Sequence, residues 1–275
     1  MSDRLKKIFS SLEPKTKFIA YFVGCHPTYE KSLEIIKQSI DNGVSIVEIG
    51  YSTSEASAEG PVIKAAQDRV IANGSSLKDV INLAKEVRNY NNSVGIILMG
   101  YISNLFMFSI ENFVKEIKKI DVDGVLVVDA PHELKEENIL RKGLIENNMV
   151  LIKLVAPTTP DKRLKKICEI SSGYIYCLNY SGTTGVKSAN LSNVKNLINK
   201  IKKYSRIPVC SGFGIKTPED AKEISSINVD GVIVGSTFVD YIENNLNEKE
   251  MPKNIGKIVK TFTKGLSWTG SKNLY

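Results

Sequence analysis

Short apolar runs rich in valine and isoleucine alternate with longer amphipathic segments along the whole chain. The apolar runs lack a clean apolar–polar alternation, which is typical of parallel strands that are buried on both faces. Two of the amphipathic segments, Ser32 to Ile40 and Leu77 to Val87, repeat their apolar residues with a helical period. Eight runs are predicted strands: Phe18 to Cys25, Val44 to Gly50, Ser93 to Gly100, Gly124 to Asp129, Val150 to Ala156, Gly173 to Leu178, Pro208 to Gly212 and Gly231 to Ser236.

Eight strand–helix units in 275 residues match the size of one eight-stranded barrel. We therefore predict the α/β class, with a single (β/α)8 TIM barrel and an extra N-terminal helix, as one domain over residues 1–275. The extra helix, Leu5 to Leu12 within residues 1–15, is predicted to cap the bottom of the barrel. Residues 267–275 are polar and are predicted to form a loose tail.

Two glycine motifs near the end of the chain each close a predicted strand and open a helical segment. They are Ser211-Gly212-Phe213-Gly214-Ile215 and Val234-Gly235-Ser236-Thr237. Bare backbone at a helix N-terminus lets N–H groups approach a phosphate, and the helix dipole favours its charge. In this type of barrel the phosphate site follows strands 7 and 8. The motifs therefore predict a phosphorylated small-molecule ligand.

Composition and charge narrow the function classes. The net charge of +7 is compatible with nucleic-acid binding, but the lysines are interleaved with acidic residues and form no stripe. A mildly positive surface also suits an anionic substrate. No apolar run is long enough to span a membrane and no signal-peptide core is present, so a cytoplasmic location is expected. The four cysteines are predicted to be buried reduced thiols, with no metal site.

Carboxylates and tyrosines stand near the ends of several predicted strands. Glu48 interrupts an apolar strand, where it is either an edge residue paired with a lysine or an acid–base group whose pKa is raised by burial. Glu59 lies in a turn before Pro61 and is compatible with either a solvated loop or a functional role. Asp129 ends strand 4 and Tyr176 lies within strand 6. A tyrosine there either fills the core or places its hydroxyl beside the carboxylates.

These segments together resemble the tryptophan synthase alpha chain family, over about Leu5 to Ile242. The Ala-Pro-Thr-Thr-Pro and Thr-Gly segments are the most specific, because few other phosphate-binding barrels would share both. The carriers are the Val-Glu-Ile-Gly strand with Glu48, Ala58-Glu59-Gly60-Pro61, Leu98-Met99-Gly100-Tyr101, Asp129-Ala130-Pro131, Leu154-Val155-Ala156-Pro157-Thr158-Thr159-Pro160, Gly173-Tyr174-Ile175-Tyr176, Gly182-Thr183-Thr184-Gly185, Gly212-Phe213-Gly214-Ile215 and Gly235-Ser236.

The resemblance implies a lyase that splits indole-3-glycerol phosphate into indole and glyceraldehyde 3-phosphate by a retro-aldol reaction. It implies no cofactor in this chain and a pyridoxal-phosphate-dependent β chain as partner in an α2β2 heterotetramer. By the family pattern, Glu48 shuttles protons, Glu59 holds the indole N–H and Tyr176 orients Glu59. The phosphate is held by Gly185, Gly214, Gly235 and Ser236. The indole pocket is walled by Tyr21, Tyr101, Leu126, Leu154, Leu178 and Phe213. The lid and partner loops carry Thr184, Glu55 and Asp129.

The chain departs from the family mainly on the loops that meet substrate and partner. The loop after strand 2 reads Ser52-Thr53-Ser54-Glu55-Ala56-Ser57-Ala58-Glu59-Gly60-Pro61, where the family has two further prolines and an aspartate at position 59. One extra methylene displaces the carboxylate by ~1 Å, and such a misplacement can cost ~10²-fold in rate. His26 replaces the usual aspartate after strand 1, as either a structural loop residue or a compensating acid–base group.

Alternative functions follow from these departures. The first is an active lyase subunit with a retuned loop, and the second is a weakly active or inactive subunit that activates the β chain. A phosphate-sugar isomerase or epimerase on the same barrel is a third, against which both retained carboxylates weigh. Lys153 is compatible with a Schiff-base role, but alternation with Leu154 predicts that it points toward the outer helices, where it can snorkel.

Overall fold

All eight predicted strands form, and they close into a parallel barrel in which each strand pairs with its neighbours in chain order and β8 pairs with β1. The structure is a computed structural model that describes residues 2–178, 187–212 and 214–267. Apart from Ser267, which ends α12, the predicted loose tail lies outside the described residues, as do the predicted residues Phe213, Thr184 and Gly185. The strands are β1 (Lys17–Val23), β2 (Ile46–Gly50), β3 (Gly95–Gly100), β4 (Gly124–Val127), β5 (Val150–Val155), β6 (Ile175–Leu178), β7 (Val209–Gly212) and β8 (Gly231–Val234).

Twelve helices lie within the described residues, most of them around the outside of the barrel. They are α1 (Asp3–Ser10), α2 (Tyr29–Asp41), α3 (Pro61–Ala72), α4 (Leu77–Tyr90), α5 (Ile102–Phe108), α6 (Ile110–Lys119), α7 (Lys135–Glu146), α8 (Asp161–Ile170), α9 (Lys187–Tyr204), α10 (Pro218–Ser225), α11 (Ser236–Asn244) and α12 (Met251–Ser267). The two helices predicted from periodicity correspond to α2 and α4, each slightly longer than predicted. None of the helices in these ranges is long and apolar enough to cross a membrane.

The strand residues are buried on both faces, as the lack of clean alternation predicted. Side chains that point outward pack under the helices in one large apolar core, whereas those that point inward fill the barrel. Ile19, Ile46 and Ile97 belong to the inner core, and they share it with Leu5 of α1. Most strand residues are apolar, and Glu48 of β2 is an exception that points into the barrel.

Helix α1 closes the N-terminal mouth of the barrel, as predicted. The fully buried carboxylate of Asp123 lies beside it and accepts hydrogen bonds from Ser2, Arg4 and Arg88 at 2.8–2.9 Å. A buried charge is tolerated when it is paired and hydrogen-bonded on all sides. The network fixes α1 and α4 to the barrel and leaves the C-terminal mouth as the open end.

Three helices, α3, α5 and α11, are additions to the regular barrel pattern besides α1. Each comes after a strand at the C-terminal mouth, and each is followed by a longer helix, α4, α6 or α12. Helices α3 and α11 pack against each other and against β1. An extra helix after the last strand is the element on which barrels of this type build phosphate sites.

Candidate functional site

A cavity of about 330 Å³ opens at the C-terminal ends of the strands. Its wall is mostly apolar, and the two carboxylates Glu48 and Glu59 are its acidic residues. A largely apolar cavity with a few converging polar groups is the usual form of a small-molecule site. The lining residues are Tyr21, Glu48, Ala58, Glu59, Gly60, Pro61, Val62, Ile63, Met99, Val128, Leu154, Tyr176, Leu178, Gly214, Ile215, Ile233, Val234, Gly235 and Ser236.

Glu48 lies in the middle of β2 and points into the barrel, opposite Tyr21 of β1. Its side chain is fully buried, and the hydroxyl of Tyr174 donates a hydrogen bond of 2.5 Å to its Oε1. Oε2 has no hydrogen-bond partner among the described residues. Burial raises the pKa of Glu48 to about 7, and the hydrogen bond from Tyr174 opposes that rise. The free oxygen is therefore available to exchange a proton near neutral pH.

Glu59 occupies the turn directly before α3, which begins at Pro61. A proline suits the first position of a helix because no intrahelical partner is needed for its missing N–H. The N–H of Ala58 donates to the hydroxyl of Tyr101 at 3.0 Å, which holds the turn against β3. Burial raises the pKa of Glu59 to about 7 as well. The site thus contains two carboxyl groups that both titrate near neutral pH.

The described residues that are predicted to hold the phosphate lie at the start of α11 and in the turn after β7. Gly214 adopts the left-handed φ of 72° that favours glycine. A Cβ on Gly235 would lie 2.9 Å from the Tyr21 ring, so only glycine fits there. The hydroxyl of Thr237 donates to the carbonyl of Ile215 at 2.8 Å and ties the two glycine motifs together. Gly235 and Ser236 line the cavity at the start of this helix, where the first backbone N–H groups of a helix have no intrahelical partners.

The predicted indole wall is assembled in part. Tyr21, Leu154 and Leu178 line the cavity, whereas Leu126 packs deeper, in the inner core. Val128, two residues further along the same chain segment, lines the cavity instead, because side chains two positions apart share a face. Tyr101 is buried and contributes its hydroxyl to the turn before Glu59.

Several further wall residues are absent from the prediction. Met99 of β3 and Ile233 of β8 line the cavity beside the predicted residues. Both alternate with outward-facing neighbours in strands that the sequence did identify. Each is the next-to-last residue of its strand, and Met99 lies two positions after the inner-core residue Ile97, which is the signal that could have identified it.

Two tyrosines of one segment reach the site from the same face of the barrel. Tyr176 lines the cavity, and its hydroxyl lies 3.0 Å from the position that a Cβ on Gly212 would occupy. Burial raises the pKa of Tyr176 most, and the charges of Glu48 and Glu59 raise that pKa further. Tyr174, two residues earlier, is the hydrogen-bond partner of Glu48 and was not predicted as a site residue. The period of two that links it to Tyr176 is the signal that could have found it.

The partner-loop residues lie at the same mouth of the barrel. Glu55 is exposed in the loop after β2. Asp129 is exposed after β4, and its Oδ1 accepts a hydrogen bond of 2.8 Å from the N–H of Ile102 at the start of α5. Both side chains are therefore accessible on the rim around the cavity.

Two residues that sequence analysis left open lie outside the cavity. Lys153 points outward, as predicted, but it is buried and ion-paired with the fully buried Glu137 of α7, so it does not snorkel to solvent. A Schiff-base role would require its amine in the cavity. His26 is buried between α3 and α11 and does not line the cavity, which favours its structural interpretation. All four cysteines are buried and free, as predicted.

Comparison with known proteins agrees with this geometry. The family described as tryptophan synthase alpha chain matches residues 9–265. The tryptophan synthase subunit alpha of Legionella pneumophila is 27% identical, with 97% of this chain and 99% of that chain covered and a TM-score of 0.87. A structure from Aquifex aeolicus VF5 is 29% identical, with 98% and 100% covered and a TM-score of 0.86. A tryptophan synthase from M. tuberculosis, at 22% identity, 97% and 100% coverage and a TM-score of 0.84, supports the fold alone.

Proposed function

Because the chain belongs to the tryptophan synthase alpha chain family, a family of lyases of tryptophan biosynthesis, we propose that it cleaves indole-3-glycerol phosphate into indole and glyceraldehyde 3-phosphate. The observation that carries this proposal is the pairing of two carboxyl groups, each with a pKa of about 7, inside one apolar cavity. A glycine-lined helix N-terminus forms the other end of the same cavity. These features supply acid–base groups, an aromatic slot and a phosphate site together.

The apolar wall and the phosphate end orient the substrate. The indole ring packs between Tyr21 and Leu154, and the phosphate binds at the N-terminus of α11 beside Ser236. The glycerol carbon that is bonded to the ring then lies between the two ends, near Glu48. Holding the scissile bond against a fixed catalytic group removes much of the entropic barrier to reaction.

The cleavage itself needs only proton transfers. The Glu48 carboxylate takes the proton of the glycerol hydroxyl and delivers it to C3 of the indole, and Glu59 stabilises the resulting cationic indolenine by accepting a hydrogen bond from its N–H. The deprotonated hydroxyl oxygen then forms a carbonyl as the carbon–carbon bond breaks. Its electron pair returns to the ring and restores indole, while the hydroxyl carbon becomes the aldehyde. A carboxyl group with a pKa near 7 can both donate and accept in this sequence.

Supporting residues complete the proposal. Tyr176 lies in the cavity, where the charges of Glu48 and Glu59 act on its hydroxyl, and we assign it the orientation of Glu59. Thr184 and Gly185 keep their predicted roles in closing the site and holding the phosphate. The residues named here act without a cofactor, and pyridoxal phosphate belongs to the β partner.

The β chain is proposed to dock over the C-terminal mouth, in an α2β2 heterotetramer. Phe106 and Met107 of α5 are 51% and 92% exposed beside this mouth. The amide of Asn104, also on α5, donates to the carbonyl of Ser52 at 2.9 Å, which joins the exposed apolar pair to the loop that carries Glu59. Burying this pair against a partner would remove apolar surface from water.

Indole release from indole-3-glycerol phosphate, measured with and without a β chain, tests the proposal. We expect indole from the wild-type chain and its loss in Glu48→Gln, which keeps the shape of the side chain but removes its proton exchange. If the wild-type chain releases no indole under either condition yet accelerates the β chain, the lyase assignment is wrong and the chain is an activating subunit.

A further inference from the structure

A buried histidine forms the centre of a polar contact between α3 and α11. His26 follows β1 and is 1% exposed, and its Nε2 lies 2.6 Å from Oε1 of Glu243 on α11. Its Nδ1 is buried and has no hydrogen-bond partner among the described residues. Because a carboxylate can only accept, the ring proton lies on Nε2 and is donated to Glu243. Burial lowers the pKa of His26, in agreement with a neutral ring.

The carboxylate of Glu243 also accepts hydrogen bonds from a residue of α3. Arg69 of α3 donates from Nε to Oε1 and from Nη2 to Oε2 of Glu243, at 3.1 and 3.0 Å. This two-point geometry is the strongest and most directional form of an arginine–carboxylate pair. Glu243 therefore holds α3 through Arg69 and the β1 loop through His26. We name these three residues the interhelical bridge.

The two bridged helices carry the two halves of the cavity. Helix α3 starts at Pro61, two residues after Glu59, and Arg69 lies eight residues from its first residue, or ~12 Å at the helical rise. Helix α11 starts at Ser236, at the phosphate end, and Glu243 lies on its last turn. A helix moves as a rigid body, so a shift at one end of either helix is transmitted to the bridge.

The loop before α3 needs such support. Between Tyr51 and Gly60 it contains no proline, and a loop without proline loses more entropy when it is ordered. Side chains contact it at three backbone positions: Asn104 at Ser52, Gln67 at Thr53 and Tyr101 at Ala58. One of these contacts, from Gln67, comes from α3 itself, so the position of α3 directly affects the order of the loop.

We infer that the interhelical bridge of His26, Arg69 and Glu243 couples phosphate binding at the start of α11 to the placement of Glu59 before α3. The bridge residues lie outside the cavity, so they are positioning residues and do not touch the substrate. The inference deepens the proposed function and rests on it. In this arrangement a phosphate ligand fixes α11, α11 fixes α3 through Glu243 and Arg69, and α3 orders the segment that carries Glu59.

Glycerol 3-phosphate is the probe for the coupling, because it occupies the phosphate end without undergoing cleavage. Amide hydrogen exchange across residues 51–72 is measured with and without saturating probe, and probe affinity is measured by titration. The test variant is Arg69→Gln, whose side chain is 40% exposed in the wild type and can be replaced without opening the core. Lys64→Gln is the matched control, since the ion pair of Lys64 is with Asp68 of the same helix.

In the wild type and in Lys64→Gln, the probe is expected to slow exchange over residues 51–72. In Arg69→Gln this ligand-induced slowing is expected to vanish while exchange without ligand stays similar, and probe affinity is expected to fall about fivefold. Arg69→Lys restores the charge but not the two-point geometry, and an intermediate result is expected. The inference is overturned if Arg69→Gln keeps the wild-type slowing, or if the wild type shows none. Indole release by the wild type is read separately and reports on the proposed function.

Discussion

Removing the hydroxyl of Tyr174 should raise the pKa of Glu48 and shift the low-pH limb of the pH–activity profile to higher pH. In the wild type this hydroxyl donates to Oε1 of Glu48 at 2.5 Å within a fully buried site. Burial alone raises the pKa of Glu48, and the hydrogen bond opposes the rise because it favours the charged form. Tyr174→Phe leaves the ring and its packing against Phe9 in place.

The size of the shift follows from the strength of that bond. A hydrogen bond to a charged group is worth about 1.5–3 kcal/mol, and part of it persists when the acid is protonated. One pKa unit corresponds to about 1.4 kcal/mol, so we expect an upward shift of about one unit. Below pH 7 the Glu48 carboxylate of the variant is then depleted about tenfold relative to wild type, whereas above pH 9 both proteins are ionised.

The assay is kcat/KM for indole release, measured from about pH 5.5 to pH 9.5. We expect Tyr174→Phe to lose about tenfold near pH 6 and to approach the wild-type rate near pH 9. Glu59 also has a pKa of about 7, but the hydroxyl of Tyr174 is hydrogen-bonded to Glu48. The pKa that Glu59 contributes to the pH–activity profile should therefore be the same in the variant as in the wild type. The variant therefore separates the two carboxyl groups.

Tyr51→Phe is the matched control for this experiment. Its hydroxyl is also buried, has no hydrogen-bond partner among the described residues and does not contact Glu48. Its profile should coincide with that of the wild type. An equal loss at every pH in Tyr174→Phe, or a limb that moves to lower pH, would refute the electrostatic account of Glu48.

Four further predictions follow from the same geometry. Glu48→Gln should raise the free energy of unfolding by up to about 3 kcal/mol near pH 8, measured in urea, because the folded pKa of about 7 exceeds the ordinary 4.5 and ionising the buried acid costs stability. That gain should disappear below about pH 4.5, where the acid is protonated in both states. Gly235→Ala should raise KM about tenfold with little change in kcat, because a Cβ meets the Tyr21 ring at 2.9 Å and narrows the phosphate end. Asp123→Asn should lower the free energy of unfolding by about 3–5 kcal/mol, because two arginines lose their buried partner; a loss below 1 kcal/mol would contradict this. Glu59→Gln should reduce kcat by about 10²-fold while Glu59→Asp stays within about tenfold, as measured by indole release.

The barrel could be predicted from local patterns because its strands and helices obey local rules. Runs of β-branched residues can be buried on both faces only in a parallel sheet, and the intervening segments have a helical period. The two glycine motifs mark their turns because the backbone there admits no side chain, as the Cβ contact at Gly235 demonstrates. The family resemblance added the roles of Glu48 and Glu59 to positions that composition alone left open.

Strand ends and the depth of side chains were less predictable. Strand β1 ends at Val23 instead of continuing to Cys25, which adopts a left-handed φ of 65°. The prediction placed Leu126 in the indole wall, whereas Leu126 lies in the inner core of the barrel and Val128, two residues later, lines the cavity. Periodicity identifies the face on which a residue lies, but the level at which the cavity begins depends on all eight strands together.

The amino-acid sequence by itself determined the fold, the two glycine turns and the carboxylates at the mouth, because each depends on neighbouring residues. Tertiary structure decided which groups meet across the chain. Tyr174 reaches Glu48 over a separation of 126 residues, and His26 reaches Glu243 over 217. Burial of Glu48 inside the closed barrel raises its pKa. The ion pair between Lys153 and the buried Glu137 also forms only when β5 and α7 pack together. Local patterns carry no information about such pairs, since the barrel must close before their side chains are neighbours.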